Sequence, residues 1–265
     1  TTYIDSIISL VNPATNRIYP KYNQRGTATG RISAYNPNIQ TIPIKSELGK
    51  KIRKAFISDE GKIFIKADYS QIELRVLAHL SEDENLIYAY LNDFDVHTLT
   101  SRIIFSKDEI NEDERRIGKT VNFAIIYGVS PYGLSKQLNI DQKLAEEFIR
   151  NYFEHYKGVK EWIEKTKLFA IEKGYVKTIL NRRRIIPKLG INSPNKVIRE
   201  AWERICINAP VQGSASDIMK IAMIKTLYFN PILQIHDELV FEVDEDLAKE
   251  HSKQIKEIME NVINL

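Results

Sequence analysis

The sequence predicts an α+β fold, with strands near both ends of the chain and helices inserted between them. The first strand is the β-branched and aromatic run at 62–67, and two more strands follow at 232–235 and 238–243 with a tight connection. Between these strands, apolar residues recur at helical spacing over most of the chain. The 265 residues are 43% hydrophobic, which is enough to bury the core of one large domain or two closely packed ones.

The other elements follow in chain order. The part before Arg53 is rich in turn signals such as Asn12-Pro13 and Asn36-Pro37, and we expect it to be extended. The predicted helices cover 70–80, 83–91, 96–104, 112–127, 142–156, 159–173, 196–206 and 214–227, and a short hairpin is predicted at 175–186. No apolar run approaches the ~20 residues of a membrane span, so we expect a soluble, intracellular chain without membrane contact.

The charge is unevenly distributed although the net charge is only +3. Residues 17–54 carry nine Lys or Arg and one acidic residue, and residues 177–204 carry eight Lys or Arg and two acidic residues. From Asp237 onward the balance reverses, with three lysines and nine acidic residues. Solvated helix faces are the ordinary explanation of such runs. Two basic blocks beside candidate carboxylates also suit a polyanion that is held next to a metal site.

The single cysteine, Cys206, lies in the apolar stretch Ile205–Ile207 and cannot form an internal disulfide. A buried structural thiol is therefore predicted, and redox chemistry is not indicated.

Two aspartates at strand ends form the first candidate site. Asp68 follows the strand at 62–67, and Asp237 lies in the connection between the two later strands. If the sheet places these strands side by side, both carboxylates reach one edge, where hard oxygen ligands suit Mg²⁺. A pair of such ions can stabilise the attacking and leaving oxygens of a phosphoryl displacement. The alternatives are that Asp68 caps the following helix and that His236 and Asp237 cap a hairpin turn.

The second candidate site is a stripe on the helix at 112–127. Arg115, Lys119, Phe123 and Tyr127 recur every four residues and therefore share one helix face. An arginine fork and a lysine point charge suit a triphosphate, and two aromatic rings offer a surface to a base and a sugar. The alternative is an ordinary amphipathic helix with both rings in the core.

Three segments together resemble the motifs of the family A DNA polymerases, the bacterial DNA polymerase I type. DYSQIELR at 68–75 resembles motif A, RRIGKTVNFAIIYG at 115–128 resembles motif B, and QIHDEL at 234–239 resembles motif C. Shorter matches are TATGR at 27–31, NPNIQ at 36–40, DVHT at 95–98 and NAPVQG at 208–213. Three long motifs in this order are a specific signal, and the match extends over nearly the whole chain.

The resemblance implies a right-hand polymerase architecture, in which an antiparallel palm sheet carries the catalytic carboxylates and a helical fingers subdomain accompanies it. Palm residues are expected at 1–80, with motif A, and at 206–265, with the motif C hairpin. Mainly fingers are expected at 81–205, with the motif B helix at 114–128. The thumb is expected to be largely missing, and neither a proofreading domain nor a 5′ nuclease is expected in this chain.

The resemblance also implies a role for each matching residue. Asp68, Asp237 and the Tyr69 carbonyl are expected to bind two Mg²⁺ ions, which Mn²⁺ could replace, with Glu238 in support. The residues expected at the incoming nucleotide are Arg115 and Lys119, both counted as catalytic with the two aspartates, together with His97, Phe123, Tyr127, Gln71 and Glu73. The residues expected at the DNA are Arg31, Asn38, Gln40, Arg204, Asn208, Gln212 and His236.

Several of these side chains have simpler explanations. Glu73 is expected to crowd the sugar 2′ position, but it could instead form a surface salt bridge. His97 could be a satisfied buried histidine, and Asn208 and Gln212 could cap a helix or a turn.

The implied activity is DNA-templated addition of deoxynucleotides to a primer 3′ end by two-metal-ion nucleotidyl transfer. We expect a monomer that binds primer-template DNA and deoxynucleoside triphosphates, in the cytoplasm near the nucleoid if the source is bacterial. A two-metal nuclease would use the same carboxylates without the Arg115 to Tyr127 stripe. A single-subunit RNA polymerase would share the palm and the cationic helix, but Glu73 argues against it. A truncated fragment could also bind nucleic acid with little or no activity.

Overall fold

The computed structural model describes residues 4–43 and 46–265. In this part of the chain the helices, α1 to α12, are Ile4–Ile8, Glu47–Lys54, Ile72–Ser81, Glu84–Leu91, Val96–Phe105, Glu112–Ile126, Pro131–Leu138, Gln142–His155, Lys157–Lys173, Lys188–Ile191, Lys196–Lys225 and Ala248–Glu260. The strands, β1 to β7, are Lys21–Asn23, Ser33–Tyr35, Lys62–Asp68, Tyr175–Lys177, Arg183–Ile185, Pro231–Ile235 and Glu238–Asp244. Helices combined with antiparallel strands confirm the predicted α+β class.

The chain divides into two compact units, one formed by 1–70 with 216–264 and the other essentially by 71–215. The predicted divisions after 80 and 205 each fall 10 residues from these boundaries. Which unit is palm and which is fingers stays a prediction. None of the helices that the structure describes is both long and apolar enough to cross a membrane.

The first unit is built on a three-stranded antiparallel sheet in the order β3-β7-β6. Alternate residues of β7 face the core because successive side chains of a strand point to opposite sides. The core consists of Met219, Ala222, Phe229, Leu239, Phe241, Val243, Ile255 and Met259. Beyond the end of β3, the Tyr69 hydroxyl donates a hydrogen bond to the Met259 carbonyl at 2.7 Å, which fixes this strand end against α12.

The second unit is mainly helical, from α3 to the first part of α11, with the short β4-β5 hairpin. Helices α5 and α6 approach so closely that a Cβ atom at Gly118 would clash with Ser101 Oγ and the His97 carbonyl. This contact places His97 directly against the helix that carries Lys119.

The predicted helices at 196–206 and 214–227 are wrong in one respect, because α11 runs continuously from Lys196 to Lys225 through Pro210. Proline has a φ compatible with a helix and removes one backbone donor, so it weakens a helix without always ending it. Here Cys206, Ala209 and Val211 are buried around it, and their packing keeps the helix intact.

The expectation of an extended segment before Arg53 is also partly wrong, since α2 covers Glu47–Lys54. Ser46 Oγ accepts the Gly49 N–H at 3.1 Å and caps this helix. The helix was not predicted because it is largely charged and carries only a weak apolar pattern. Helices α7 and α12 were not predicted either, although Ser130 followed by Pro131 is a helix-start signal.

Asp83 is buried and its carboxylate joins two helices of the second unit. Oδ1 accepts the Leu86 N–H at 3.0 Å in α4, and Oδ2 accepts the Gly158 N–H at 2.8 Å and the Val159 N–H at 3.3 Å in α9. If asparagine replaced Asp83, its side-chain NH₂ group, which can only donate, would face backbone N–H groups that also donate. Asp83→Asn should therefore lower the free energy of unfolding by about 2–3 kcal/mol, as measured in urea.

The matched control for this prediction is Asp141→Asn. Asp141 is an exposed cap whose carboxylate accepts the Lys143 N–H at 2.8 Å, and asparagine is an equally good cap. The loss in this control should stay below about 0.5 kcal/mol. Equal losses of unfolding free energy in the two variants would contradict the proposal that Asp83 caps both α4 and α9.

Candidate functional site

Three acidic residues lie where β3 ends and β7 begins. Asp68, the last residue of β3, is the register partner of Glu238, the first residue of β7. Asp237 precedes Glu238 in the turn, and its carbonyl accepts the Tyr69 N–H at 3.0 Å. The sheet thus brings Asp68 and Asp237 to one edge, which is the arrangement predicted from their positions at strand ends.

The electrostatics of this edge favour a bound cation. Desolvation raises the pKa of Asp68, and the negative charges of Glu238 and Asp237 raise it further. Desolvation also raises the pKa of Asp237, whereas Arg31 and His236 lower it. Each aspartate is therefore held in surroundings that disfavour its charge, and a divalent cation would remove this penalty.

Glu238 adds a second sign of fit. Its Oε2 forms an ion pair with Lys66 at 2.9 Å, but its Oε1 is buried and has no hydrogen-bond partner among the described residues. A buried carboxylate oxygen is stable only with a donor or a cation nearby. Across 4–43 and 46–265, no three His, Cys, Asp or Glu side chains form a ready ligand cluster. A metal here would take backbone, water or phosphate oxygens as its other ligands, as Mg²⁺ commonly does.

The capping explanation for Asp68 is wrong. Helix α3 begins at Ile72, and Gln71, which has a positive φ of 54°, occupies the position before it without a side-chain cap. The Tyr69 hydroxyl is engaged in its hydrogen bond to the Met259 carbonyl. The group of Tyr69 predicted to bind a metal is its backbone carbonyl. His236 also has a positive φ, 53°, and is exposed in the β6–β7 turn.

Two glutamines hold this turn. Gln40 Nε2 donates to the Gln234 side-chain oxygen at 3.0 Å and to its carbonyl at 3.2 Å, and the buried Gln234 donates to the His236 carbonyl at 2.5 Å. The Tyr22 hydroxyl accepts the Gln234 N–H at 3.1 Å. Gln40, predicted to contact DNA, thus bonds within the protein. Gln234 was not predicted as a site residue, although it is the first residue of the motif C match and a polar residue inside an apolar strand.

Asn38 also has a structural role, because its side chain accepts the Gln40 N–H at 3.2 Å and caps a 3₁₀ turn at Ile39–Thr41. Arg31 lies close enough to Asp237 to lower its pKa. Their predicted DNA contacts stay predictions.

Helix α6 begins with a capping box formed by Asn111 and Glu114. Its buried face consists of Gly118, Val121, Asn122, Ala124, Ile125 and Ile126. Phe123 is half-buried, and Tyr127, at the helix end, is 37% exposed. The two rings stack with centroids 6.4 Å apart and an interplanar angle of 21°. The core-helix alternative is therefore wrong for this pair of rings.

The two cations of the stripe differ in their surroundings. Arg115 Nε donates to Asp95 Oδ2 at 2.5 Å, whereas Lys119 is exposed and makes no ion pair or hydrogen bond to the residues that the structure describes. Although desolvation opposes it, hydrogen bonds from Arg115 and Thr98 lower the pKa of Asp95 to about 2. Asp95 was not singled out in the sequence, because its importance depends on a partner 20 residues away.

Glu73 belongs to the second unit and is only 4% exposed, so its carboxylate is not a surface group. Its Oε2 accepts a hydrogen bond from the Tyr127 hydroxyl at 3.3 Å. Nearby, Gln71 accepts a hydrogen bond from the Tyr90 hydroxyl at 3.0 Å. The predicted restraint of Glu73 by Tyr127 is therefore present in the structure.

His97 is buried in α5, and its Nδ1 lies 3.2 Å from the Asn122 side-chain nitrogen. Burial lowers the pKa of His97 to about 4; Lys119 and Arg115 lower it too, while Asp95 acts in the opposite direction. The ring is thus neutral at pH 7 and buried, but only Nδ1 has a polar partner among the described residues, so the alternative of a fully satisfied histidine is met only in part.

The remaining predicted DNA contacts lie on α11. The Asn208 side-chain nitrogen is buried without a hydrogen-bond partner in the described chain, and Asn208 is in mid-helix, so it caps nothing. Gln212 is half-buried one turn later, and the Arg204 side chain packs beside Gly128. Cys206 is buried as predicted, and burial raises its pKa to about 12.

Comparison with known proteins places this geometry in a family. The sequence profile of DNA polymerase family A matches residues 1–265. The thermostable DNA polymerase I of Thermus filiformis is 48% identical over 273 residues and all of this chain, and DNA polymerase I of Bacillus subtilis is 46% identical over 276 residues. The chain spans about a third of the length of these relatives, 32% and 31%.

A solved structure is similar as well. It is the POL domain of Pol1 from M. smegmatis in a complex with DNA primer-template and dNTP. The TM-score is 0.92 at 40% identity, and the likeness covers 98% of this chain and 47% of the other. With the family profile matching from end to end, the chain belongs to the family A DNA polymerases.

Proposed function

We propose that the chain is a DNA-directed DNA polymerase that adds deoxynucleotides to a primer 3′ end by two-metal-ion nucleotidyl transfer. Relatives named DNA polymerase I support the reaction class, and a similar domain in complex with DNA primer-template and dNTP supports these partners. The observation that carries the proposal is the group of carboxylates at the end of β3, where mutual repulsion and a buried, unpartnered oxygen fit a cation.

Asp68, Asp237 and the Tyr69 carbonyl would hold Mg²⁺, and Mn²⁺ accepts the same oxygen ligands. When bound, two such ions supply charge stabilisation to the attacking and leaving oxygens of a phosphoryl transfer. Glu238 would contribute negative charge beside the ligands, while its ion pair with Lys66 limits the repulsion between the carboxylates.

For the incoming nucleotide, Lys119 would supply a point charge to the triphosphate, since no described group of the protein competes for it. Arg115 would add a second cation that Asp95 holds in place. Phe123 and Tyr127 would support the base pair with their stacked rings. Glu73 would leave no room for a ribose 2′-hydroxyl.

For the DNA, the basic blocks at 17–54 and 177–204 would contact phosphates. The Asn208 side-chain nitrogen, which has no partner among residues 4–43 and 46–265, would donate to an acceptor in the minor groove, and every base pair offers such an acceptor. A contact of this kind is independent of sequence, which a polymerase requires.

The direct test is primer extension by the purified chain, with dNTPs and Mg²⁺ and with a chelator as control. Metal-dependent lengthening of a labelled primer supports the proposal. Shortening of the primer would favour the two-metal nuclease interpretation. Incorporation of ribonucleotides in preference to deoxyribonucleotides would favour the RNA polymerase interpretation. Tight primer-template binding without any extension would leave only a nucleic-acid-binding fragment.

Lys119→Ala should raise the KM for dNTP by roughly tenfold or more, because it removes a charged contact to the triphosphate. The Kd for primer-template should change less than about twofold, since the duplex loses no contact. Steady-state nucleotide titration and a DNA-binding assay measure the two quantities.

Arg116→Ala is the matched control in the same helix. Arg116 is exposed, lies outside the stripe and pairs with Asp113 at 3.0 Å, so its loss removes the same charge without the proposed contact. An equal loss of nucleotide and DNA binding in Lys119→Ala would place Lys119 on the duplex instead.

A further inference from the structure

Asn122 is fully buried in α6 and faces His97 of α5. Its side-chain nitrogen lies 3.2 Å from His97 Nδ1, 3.1 Å from the Gly118 carbonyl and 2.9 Å from Thr100 Oγ1. Thr100 Oγ1 also lies 3.2 Å from the Asn122 side-chain oxygen and can donate to it. A buried amide with this many partners has a defined orientation.

The Gly118 carbonyl fixes which end of the amide faces the histidine. A carbonyl oxygen can only accept, so the atom next to it must be the NH₂ group and not the amide oxygen. The NH₂ group has no acceptor capacity, and a proton on His97 Nδ1 would point at the amide hydrogens. Nδ1 is therefore the unprotonated nitrogen of the ring.

Since the pKa of His97 is lowered to about 4, chiefly by burial, the ring carries one proton at pH 7. With Nδ1 excluded, that proton lies on Nε2. Nε2 makes no hydrogen bond within the described chain. It is also not one of the fully buried polar atoms that lack a partner there, so it keeps some accessible surface. It is available to a ligand as a neutral donor.

We propose that Asn122 is a positioning residue that locks His97 in the Nε2–H tautomer, so that the ring offers a hydrogen-bond donor to a phosphate oxygen of the incoming nucleotide. The proposal rests on the proposed function for the identity of that ligand. A neutral donor adds directionality beside Lys119, whose charge attracts an anion from any direction.

The tautomer can be observed in the protein alone by ¹⁵N–¹H correlation spectra of the histidine rings, with His97→Gln identifying the His97 signals. We expect a protonated Nε2 and an unprotonated Nδ1. A proton on Nδ1 in the unmodified protein would overturn the proposal. Because this measurement needs neither DNA nor nucleotide, it stands even if the primer-extension assay fails.

Two variants separate the effect of Asn122 from general packing. Asn122→Asp presents an acceptor to Nδ1 and should move the proton there, whereas Thr100→Val removes a polar neighbour of the amide but no polar partner of Nδ1 and should leave the tautomer unchanged. A retained Nε2–H tautomer in folded Asn122→Asp would overturn the proposal. If that variant does not fold, the unmodified protein and the kinetic test below decide.

The kinetic test uses a double-mutant cycle with Asn122→Leu and His97→Ala. Alone, Asn122→Leu should raise the KM for dNTP roughly tenfold, the effect of one hydrogen bond to a charged group, with a change in kcat below about threefold. In the His97→Ala background it should have no further effect on KM, because Asn122 acts only through the ring. Additive losses would reduce Asn122 to a packing residue and overturn the proposal.

Discussion

Replacing Asp68 or Asp237 by alanine is expected to lower the rate of nucleotide addition by at least about a hundredfold, because the loss of a metal ligand removes stabilisation of the transition-state charge. The fold should survive, since both side chains lie in surroundings that raise their pKa and therefore disfavour their charge. Primer-template affinity should also persist, because the basic blocks remain. Single-turnover primer extension and thermal unfolding of each variant measure these outcomes.

Asp244→Ala is the matched control. Asp244 is the last residue of β7, pairs in register with Lys62 at the opposite end of β3 from Asp68, and is exposed. It should retain the parent rate. If the Asp68 or Asp237 variant extends the primer at more than a few per cent of the parent rate, the assignment of that residue as a metal ligand is wrong.

Glu73→Ala is expected to raise ribonucleotide incorporation relative to deoxyribonucleotide incorporation by at least roughly tenfold, equivalent to ~1.4 kcal/mol in the transition state. The reason is steric, since a buried carboxylate restrained by the Tyr127 hydroxyl cannot move aside for a 2′-hydroxyl. Selection of this kind penalises the wrong substrate without improving contacts to the right one. Competition between the two nucleotide types on one DNA template measures the ratio.

Two further variants test the steric reason. Glu73→Gln keeps the size of the side chain and should preserve most of the discrimination, whereas Tyr127→Phe removes the hydrogen bond from the Tyr127 hydroxyl to Glu73 and should give a ratio between the parent and Glu73→Ala. An unchanged ratio in Glu73→Ala would move the gate to Phe123 or Tyr127 and would reopen the RNA polymerase interpretation.

The sequence predicts the parts of the fold in which apolar residues repeat with a clear period. Strands β3, β6 and β7 are of this kind, and so is α6. Helix α2 is largely charged, so its apolar pattern is short, and its one local signal is the capping Ser46. The continuity of α11 through Pro210 depends on packing around the proline.

The candidate site shows a similar division. Asp68 and Asp237 could be paired from sequence because both stand at strand ends. Asp95, Asn122 and Gln234 could not, since each matters through a partner that is 20, 25 or 194 residues away. All three lie within matched motifs, but a motif does not distinguish a residue that would touch a ligand from one that holds another residue in place. That distinction is visible only in the folded chain.

The close approach of α5 and α6 at Gly118 has a consequence for protein engineering. A library that varies α6 to alter nucleotide preference can change Lys119 or Phe123 without opening the core, because Lys119 is exposed and Phe123 is only half-buried. Any side chain at 118 would instead push against the His97 carbonyl and Ser101 and separate the two helices. Such a library should keep glycine at 118, and compensating changes for a larger residue there should be sought at Ser101.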